Sequence, residues 1–238
     1  MVESATRESF GLAIFAKKHT RMKKVLITIF AVLLVSTPTL RAQIGFDFGM
    51  NYEFLSRKVP EGFKSNGFGM GPYAGIIYGI PVSMSAMVNV GLNYKFDILW
   101  GAMGAWDDES KLDAITLGNY DTSIQEHHLQ LPVSFNYGTS KGWNLFAGPV
   151  FDYCLASTIS STDKDWPHKD DNGKNKKMNS IKDLGIKPFN IYLKAGAGVG
   201  IKRFSFNLTA AYGLLNLAPD SSSPLHRWTV GMDFHLNL

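Results

Sequence analysis

The 238 residues suffice for one large β domain or two small ones, and the 23 glycines, 13% aromatics and single cysteine narrow the class. One cysteine excludes an intramolecular disulfide framework. The net charge of +4 is no nucleic-acid footprint. Seven of the 24 Lys and Arg residues and two of the 20 Asp and Glu residues fall in residues 1–42, leaving 17 basic against 18 acidic side chains beyond Ala42.

In chain order, residues 1–21 read as an extension or a mis-called start. Residues 22–42 have the outline of a secretory signal peptide. Met22-Lys23-Lys24 is the basic region, Val25 to Val35 the apolar run, and Ser36 to Ala42 a cleavage region ending in a small residue. The apolar run is too short for a membrane helix, which needs about 20 residues. Gln43 follows the expected cut, so no lipidated cysteine is expected there.

Residues 43–238 read as eight alternating segments: Ile44–Leu55, Gly67–Ile80, Ser83–Asp97, His127–Tyr137, Trp143–Leu155, Phe189–Ile201, Phe204–Leu214 and Arg227–Leu238. Side chains on a strand have a period of two, so each segment carries one apolar wall and one polar or small wall. The third is the cleanest, with Met84, Ala86, Val88, Val90, Leu92, Tyr94 and Phe96 against Ser83, Ser85, Asn89, Gly91, Asn93, Lys95 and Asp97. Long connections, of about 11 residues or more, alternate with turns of about two to five, the rhythm of outer-membrane barrels. Segment length agrees, because a tilted strand crosses the apolar layer in about 9–11 residues.

A soluble sandwich would hide the apolar walls and expose the charged ones. The export signal, loop rhythm and strand length favour the opposite arrangement. So do Phe54, Tyr78, Phe96, Tyr137, Trp143, Tyr153, Phe204 and Trp228, which recur near segment ends as interfacial girdles do. The expected fold is an all-β, eight-stranded antiparallel up-and-down transmembrane β-barrel. Eight strands leave room for little more than side chains. The lumen is therefore expected to hold a polar network of Asp47, Glu53, Lys95, Asp97, Glu126, His128, Asp152, Lys194, Arg227, Asp233 and His235.

Leu129-Gln130-Leu131-Pro132-Val133, followed by Leu145-Phe146-Ala147-Gly148-Pro149, resembles the paired signature of the Bacteroidetes outer-membrane β-barrel family that includes PorT-like proteins. Ala195 to Gly200 and Ala211-Tyr212-Gly213-Leu214 resemble that family's sixth and seventh strands. The resemblance spans Gln43 to Leu238 with the long loops unmatched. It implies an eight-stranded outer-membrane barrel, with one branch of the family linked to type IX secretion. Such barrels often end in an aromatic residue, whereas this chain ends Phe234-His235-Leu236-Asn237-Leu238.

Chemistry-bearing motifs are few. Gly196-x-Gly198-x-Gly200 has no nucleotide-loop spacing and sits mid-strand, where small inward residues explain it. Glu126-His127-His128 suggests a metal or acid–base site, but neighbouring strand residues face opposite ways, so the two histidines share no metal without a bulge. His128 is instead expected to meet His235 or Asp233 inside. Ser134 with His128 is the one candidate nucleophile–base pair, and it lies deep in the strand. Asp170, Asn172 and Gly173 echo a calcium loop but lack its first and last carboxylates. Cys154 faces inward as packing. In the loop from Ser160 to Lys187, Trp166 stands among mixed charges as a possible apolar contact.

The reading is a non-catalytic, monomeric outer-membrane barrel of structural or interaction type in a Gram-negative envelope. Four loops face outward toward lipopolysaccharide and protein partners, with no metal, cofactor or nucleic acid. The alternatives are an outer-membrane lipid-modifying enzyme and a narrow solute channel or secretion-accessory barrel.

Overall fold

A computed structural model describes residues 43–57, 66–100, 122–139, 142–162, 164, 169–217 and 224–238. The export segment and Trp166 lie outside the described residues. Eight strands form the wall: β1 (Gln43–Arg57), β2 (Asn66–Pro81), β3 (Ala86–Trp100), β4 (Thr122–Gly138), β5 (Trp143–Ser161), β6 (Phe189–Ile201), β7 (Phe204–Gly213) and β8 (Leu225–Asn237). Each pairs antiparallel with the next, and β1 pairs with β8, so the sheet closes on itself. Closure leaves no edge and satisfies the backbone within the wall, as a strand-built membrane protein requires.

The strands alternate strongly because their sequences do. On β1, Asp47, Asn51, Glu53 and Leu55 are buried in the lumen, while Ile44, Phe46 and Phe48 stand exposed on the outer surface. Leu92, Leu131, Phe135, Leu193, Leu208 and Phe234 continue that apolar exterior around the barrel. Aromatic residues mark one level of it. Register pairs Tyr212 with Trp228, Trp228 with Phe54, Phe54 with Phe68, and Phe68 with Trp100. The Phe54 and Trp228 rings stack at 4.3 Å. This row forms a girdle near the long-loop end.

Two departures from the sequence reading have local causes. Strands β4 and β5 are longer than their alternating segments, beginning at Thr122 and ending at Ser161. The register shifts opposite His127 and His128, where Leu155 and Ala156 both face outward. This bulge inverts the alternation, so Ser157, Ile159 and Ser161 become the inward set. A reading that follows strict period two ends the strand at Leu155.

Glycines on the inner wall make room for rings. A Cβ on Gly49 would lie 2.3 Å from the Met232 carbonyl oxygen and 2.7 Å from Tyr73 Oη. Tyr73 thus lies over Gly49 on the neighbouring strand, and Phe146 lies over Gly196 in the same way. Short connections join β2 to β3, β4 to β5 and β6 to β7, the last carrying Lys202 at φ 55.

The long-loop end is closed by an apolar layer. Leu55, Leu99, Ile124, Ile159 and Leu225 from the strand ends meet Ile186 and Leu217 from the two loops flanking β6 and β7. Met178 bridges back to Ile159. A five-residue helix, α1 (Ser180–Leu184), sits in the β5–β6 connection. The Asn179 side chain caps it and Gly185 ends it at φ 69. At the short-turn end a cavity of about 600 Å³ opens among Asn89, Asn136, Asn144, Ser205, His235 and Asn237.

The fit of Tyr73 over Gly49 is expected to be intolerant of bulk. Gly49→Val should destabilise the barrel by about 1–3 kcal/mol. The effect is read as a lower urea midpoint in detergent, with the heat-modifiable gel shift reporting the folded fraction.

Candidate functional site

The lumen holds two charge clusters at different depths. The first lies beneath the apolar layer and draws on five strands: Glu53 from β1, Lys95 and Asp97 from β3, Glu126 and His128 from β4, Asp152 from β5 and Arg227 from β8. All seven are 5% exposed or less. Alternation aims each of them inward. Register then sets Lys95 beside His128 and Asp97 beside Glu126.

Arg227 reaches across this space. Its Nη2 stands 2.6 Å from Glu126 Oε2, and its Nη1 stands 3.3 Å from Glu53 Oε2 and 3.7 Å from Asp97 Oδ2. Lys95 Nζ pairs with Glu53 and lies 2.9 Å from Asp97 Oδ2. His128 Nδ1 is 2.8 Å from Asp152 Oδ2, and its Nε2 is 3.3 Å from Glu126 Oε2 and 3.4 Å from Asp97 Oδ2. Gln130 donates to the other Asp152 oxygen at 2.8 Å. Ser180 Oγ bonds to Ser157 Oγ at 2.5 Å, and Ser157 donates to Glu126 Oε1 at 3.3 Å, so a loop hydroxyl joins the cluster.

The second cluster lies toward the short turns. Lys194 Nζ is 2.6 Å from Asp233 Oδ2 and 5.4 Å from the centre of the Tyr73 ring. His235 Nδ1 is 3.2 Å from Asp47 Oδ1, and Asn93 donates to Asp47 Oδ2 at 2.9 Å. The expected meeting of His128 with His235 or Asp233 is not made. His128 takes its partners from β3, β4 and β5, one level higher.

Sequence reasoning missed several members. Asn93 sits on the inward wall, so alternation places it, but nothing local names Asp47 as its partner. The bulge hid Ser157. Ser180 enters from a loop that no period describes. His127 faces outward despite the bulge, because the extra residue lies on β5. Its Nδ1 is 2.5 Å from Tyr94 Oη on the outer surface.

The chemical reach of the lumen is narrow. Each cluster borders a cavity of about 20 Å³, room for roughly one water. Ser134 Oγ accepts from Asn136 at 2.9 Å and lies on the short-turn side with Lys194 and His235, away from His128. Asp170 Oδ1 accepts from the Asn172 and Lys174 amides, a local turn around Gly173 at φ 72. The one three-donor group among the described residues suited to a metal ion is Glu126, His128 and Cys154, all buried.

Removing one partner from a dry ion cluster leaves the others uncompensated. Arg227→Met should therefore cost about 3–5 kcal/mol, since Glu126 and Glu53 stay buried without it. Urea unfolding of the refolded barrel measures this. Lys202→Ala at the short turn is the surface comparison and should shift stability by under about 1 kcal/mol.

Comparison with known proteins bears on the architecture. No curated protein matches the chain. Neisserial surface protein A is 9% identical, with 82% of this chain and 97% of that one covered at a TM-score of 0.46. Ail of Yersinia pestis is 12% identical, covering 82% and 99% at 0.39. The outer membrane enzyme PagL is 11% identical, covering 80% and 98% at 0.38. Identities this low transfer no activity to this chain. The family model described as outer membrane protein beta-barrel domain matches residues 36–218. The chain belongs to the outer-membrane β-barrel domain family.

Proposed function

We propose that this is a non-catalytic outer-membrane barrel of structural and interaction type, sealed through its lumen and active through its outer surface. The observation that carries the reading is the stacked closure. An apolar layer lies over a cluster of ion pairs, and the cavities at cluster level hold about one water each. A solute path would have to displace Arg227, Lys95 and their carboxylates together. The reading also disfavours a lipid-modifying enzyme. Among the described residues, the serine that meets a carboxylate is Ser157, which donates to Glu126 beneath the lid and away from the outer surface, with Ser180 bonded behind it.

The surface offered outward is the β5–β6 connection. Lys174, Lys177, Lys182 and Lys187 stand exposed there beside the exposed Asp170, Asp171 and Asp183, and Asp170 and Asp183 are held by backbone amides in a local turn and a cap. Such a basic lobe above the girdle suits the phosphates of lipopolysaccharide, the proposed lipid partner. The short turns would then face the periplasm. Cleavage of residues 22–42 on export belongs to the same reading, as does kinship with the PorT-like Bacteroidetes barrels through Leu129–Val133 and Leu145–Pro149. No observation favours the type IX secretion branch.

In planar bilayers the refolded barrel should give no stable conductance steps. Steady single-channel openings would overturn the sealed-lumen reading. Lys174→Glu with Lys177→Glu and Lys182→Glu should weaken binding of the detergent-solubilised barrel to lipopolysaccharide by at least about tenfold at low salt, at roughly 1 kcal/mol per surface charge. Equal binding by the triple variant would remove the lobe from the contact.

A further inference from the structure

We infer that Glu126, His128 and Cys154 form a binding site for one divalent metal ion of the zinc class, inside the barrel beneath the apolar lid. Their donor atoms all lie within 4.8 Å of one another. The site is built by the wall. Register sets Cys154 directly opposite His128, and the bulge one residue further along β5 turns Leu155 and Ala156 outward and Ser157 inward toward Glu126. Bulges re-aim side chains in this way at functional positions.

Three further features point to a metal. Asp152 takes Nδ1 of His128 at 2.8 Å, which orients the ring and turns Nε2 toward Glu126 and the enclosed space. A carboxylate holding the far nitrogen of a ligand histidine is the usual outer-shell arrangement. The space is about 20 Å³, lined by Glu126, His128, Cys154, Asn190, Tyr192 and Arg227 among others, enough for roughly one small ligand. Asn190, 2% exposed, lines it, and its Nδ2 has no hydrogen-bond partner among the described residues. A water completing a three-ligand metal would accept that bond.

The donor set selects the ion. Imidazole, thiolate and carboxylate together suit zinc and disfavour calcium or magnesium, which take oxygen alone. Metal binding displaces the Cys154 thiol proton, and the ion brings positive charge among Glu53, Asp97, Glu126 and Asp152, which face Lys95, His128 and Arg227. Arg227 holds Glu126 through Oε2, while among the described residues Oε1 accepts from the Ser157 hydroxyl at 3.3 Å, so Glu126 keeps lone pairs on that oxygen for the metal.

Cobalt(II) tests the site because the chain has a single cysteine. Titrated into the refolded full barrel in detergent, cobalt should give a cobalt–thiolate charge-transfer band that saturates at one ion per chain and is displaced by zinc. Cys154→Ser should abolish the band, and His128→Gln should weaken zinc binding at least tenfold. The heat-modifiable gel shift confirms that each variant is folded. Folded wild-type barrel that shows no thiolate band overturns the site, whatever the variants do. Zinc bound without that band, or equally by wild type and Cys154→Ser, places the ion elsewhere and overturns it too.

Discussion

Arg227 is the contact on which the lumen depends. A closed sheet satisfies its own backbone, so lipid meets a mainly apolar surface and the interior must satisfy itself. Eight strands leave no column of water to do so. One guanidinium on β8 reaches carboxylates on β1, β3 and β4, and so spans the seam where the first strand meets the last. Its planar fork suits several carboxylates at once in a way a lysine does not. Lys95 completes the arrangement from the other side, and His128 links it to β5 through Asp152.

The lumen is layered, and the layers explain the shape of the chain. A polar vestibule stands at the short-turn end, with a small cluster around Lys194 and Asp233 above it. The main ion cluster follows, and an apolar lid closes the long-loop end. The lid needs residues from loops as well as strands. Ile186 and Leu217 turn inward there, which ties the connections on either side of β6 and β7 to the barrel mouth. The β5–β6 lobe therefore has a fixed base and an exposed basic face. The bulge at Leu155 and Ala156 belongs to the same design, since it carries Ser157 and Ile159 inward, one to the cluster and one to the lid.

Much of this was legible in the chain by itself. The alternation in Ser83 to Asp97, the tight turn after Tyr137 and the rhythm of long and short connections determined an eight-stranded barrel with its apolar wall outward. Period two is a local property, so it also determined which polar side chains point inward, Asp47, Lys95, Arg227 and Asp233 among them. What only the tertiary structure decided was which of them meet. Glu126 and Arg227 are 101 residues apart, and their contact depends on the stagger of eight strands around a closed wall. That stagger placed His128 with Asp152 and Asp97, not with His235. It also brought Cys154 beside Glu126 and His128, and it allowed Ser180 to enter from a loop. Alternation records the direction of a side chain. Height in the barrel, bulges and the return of loops decide its neighbours, because they are set by pairing between distant strands.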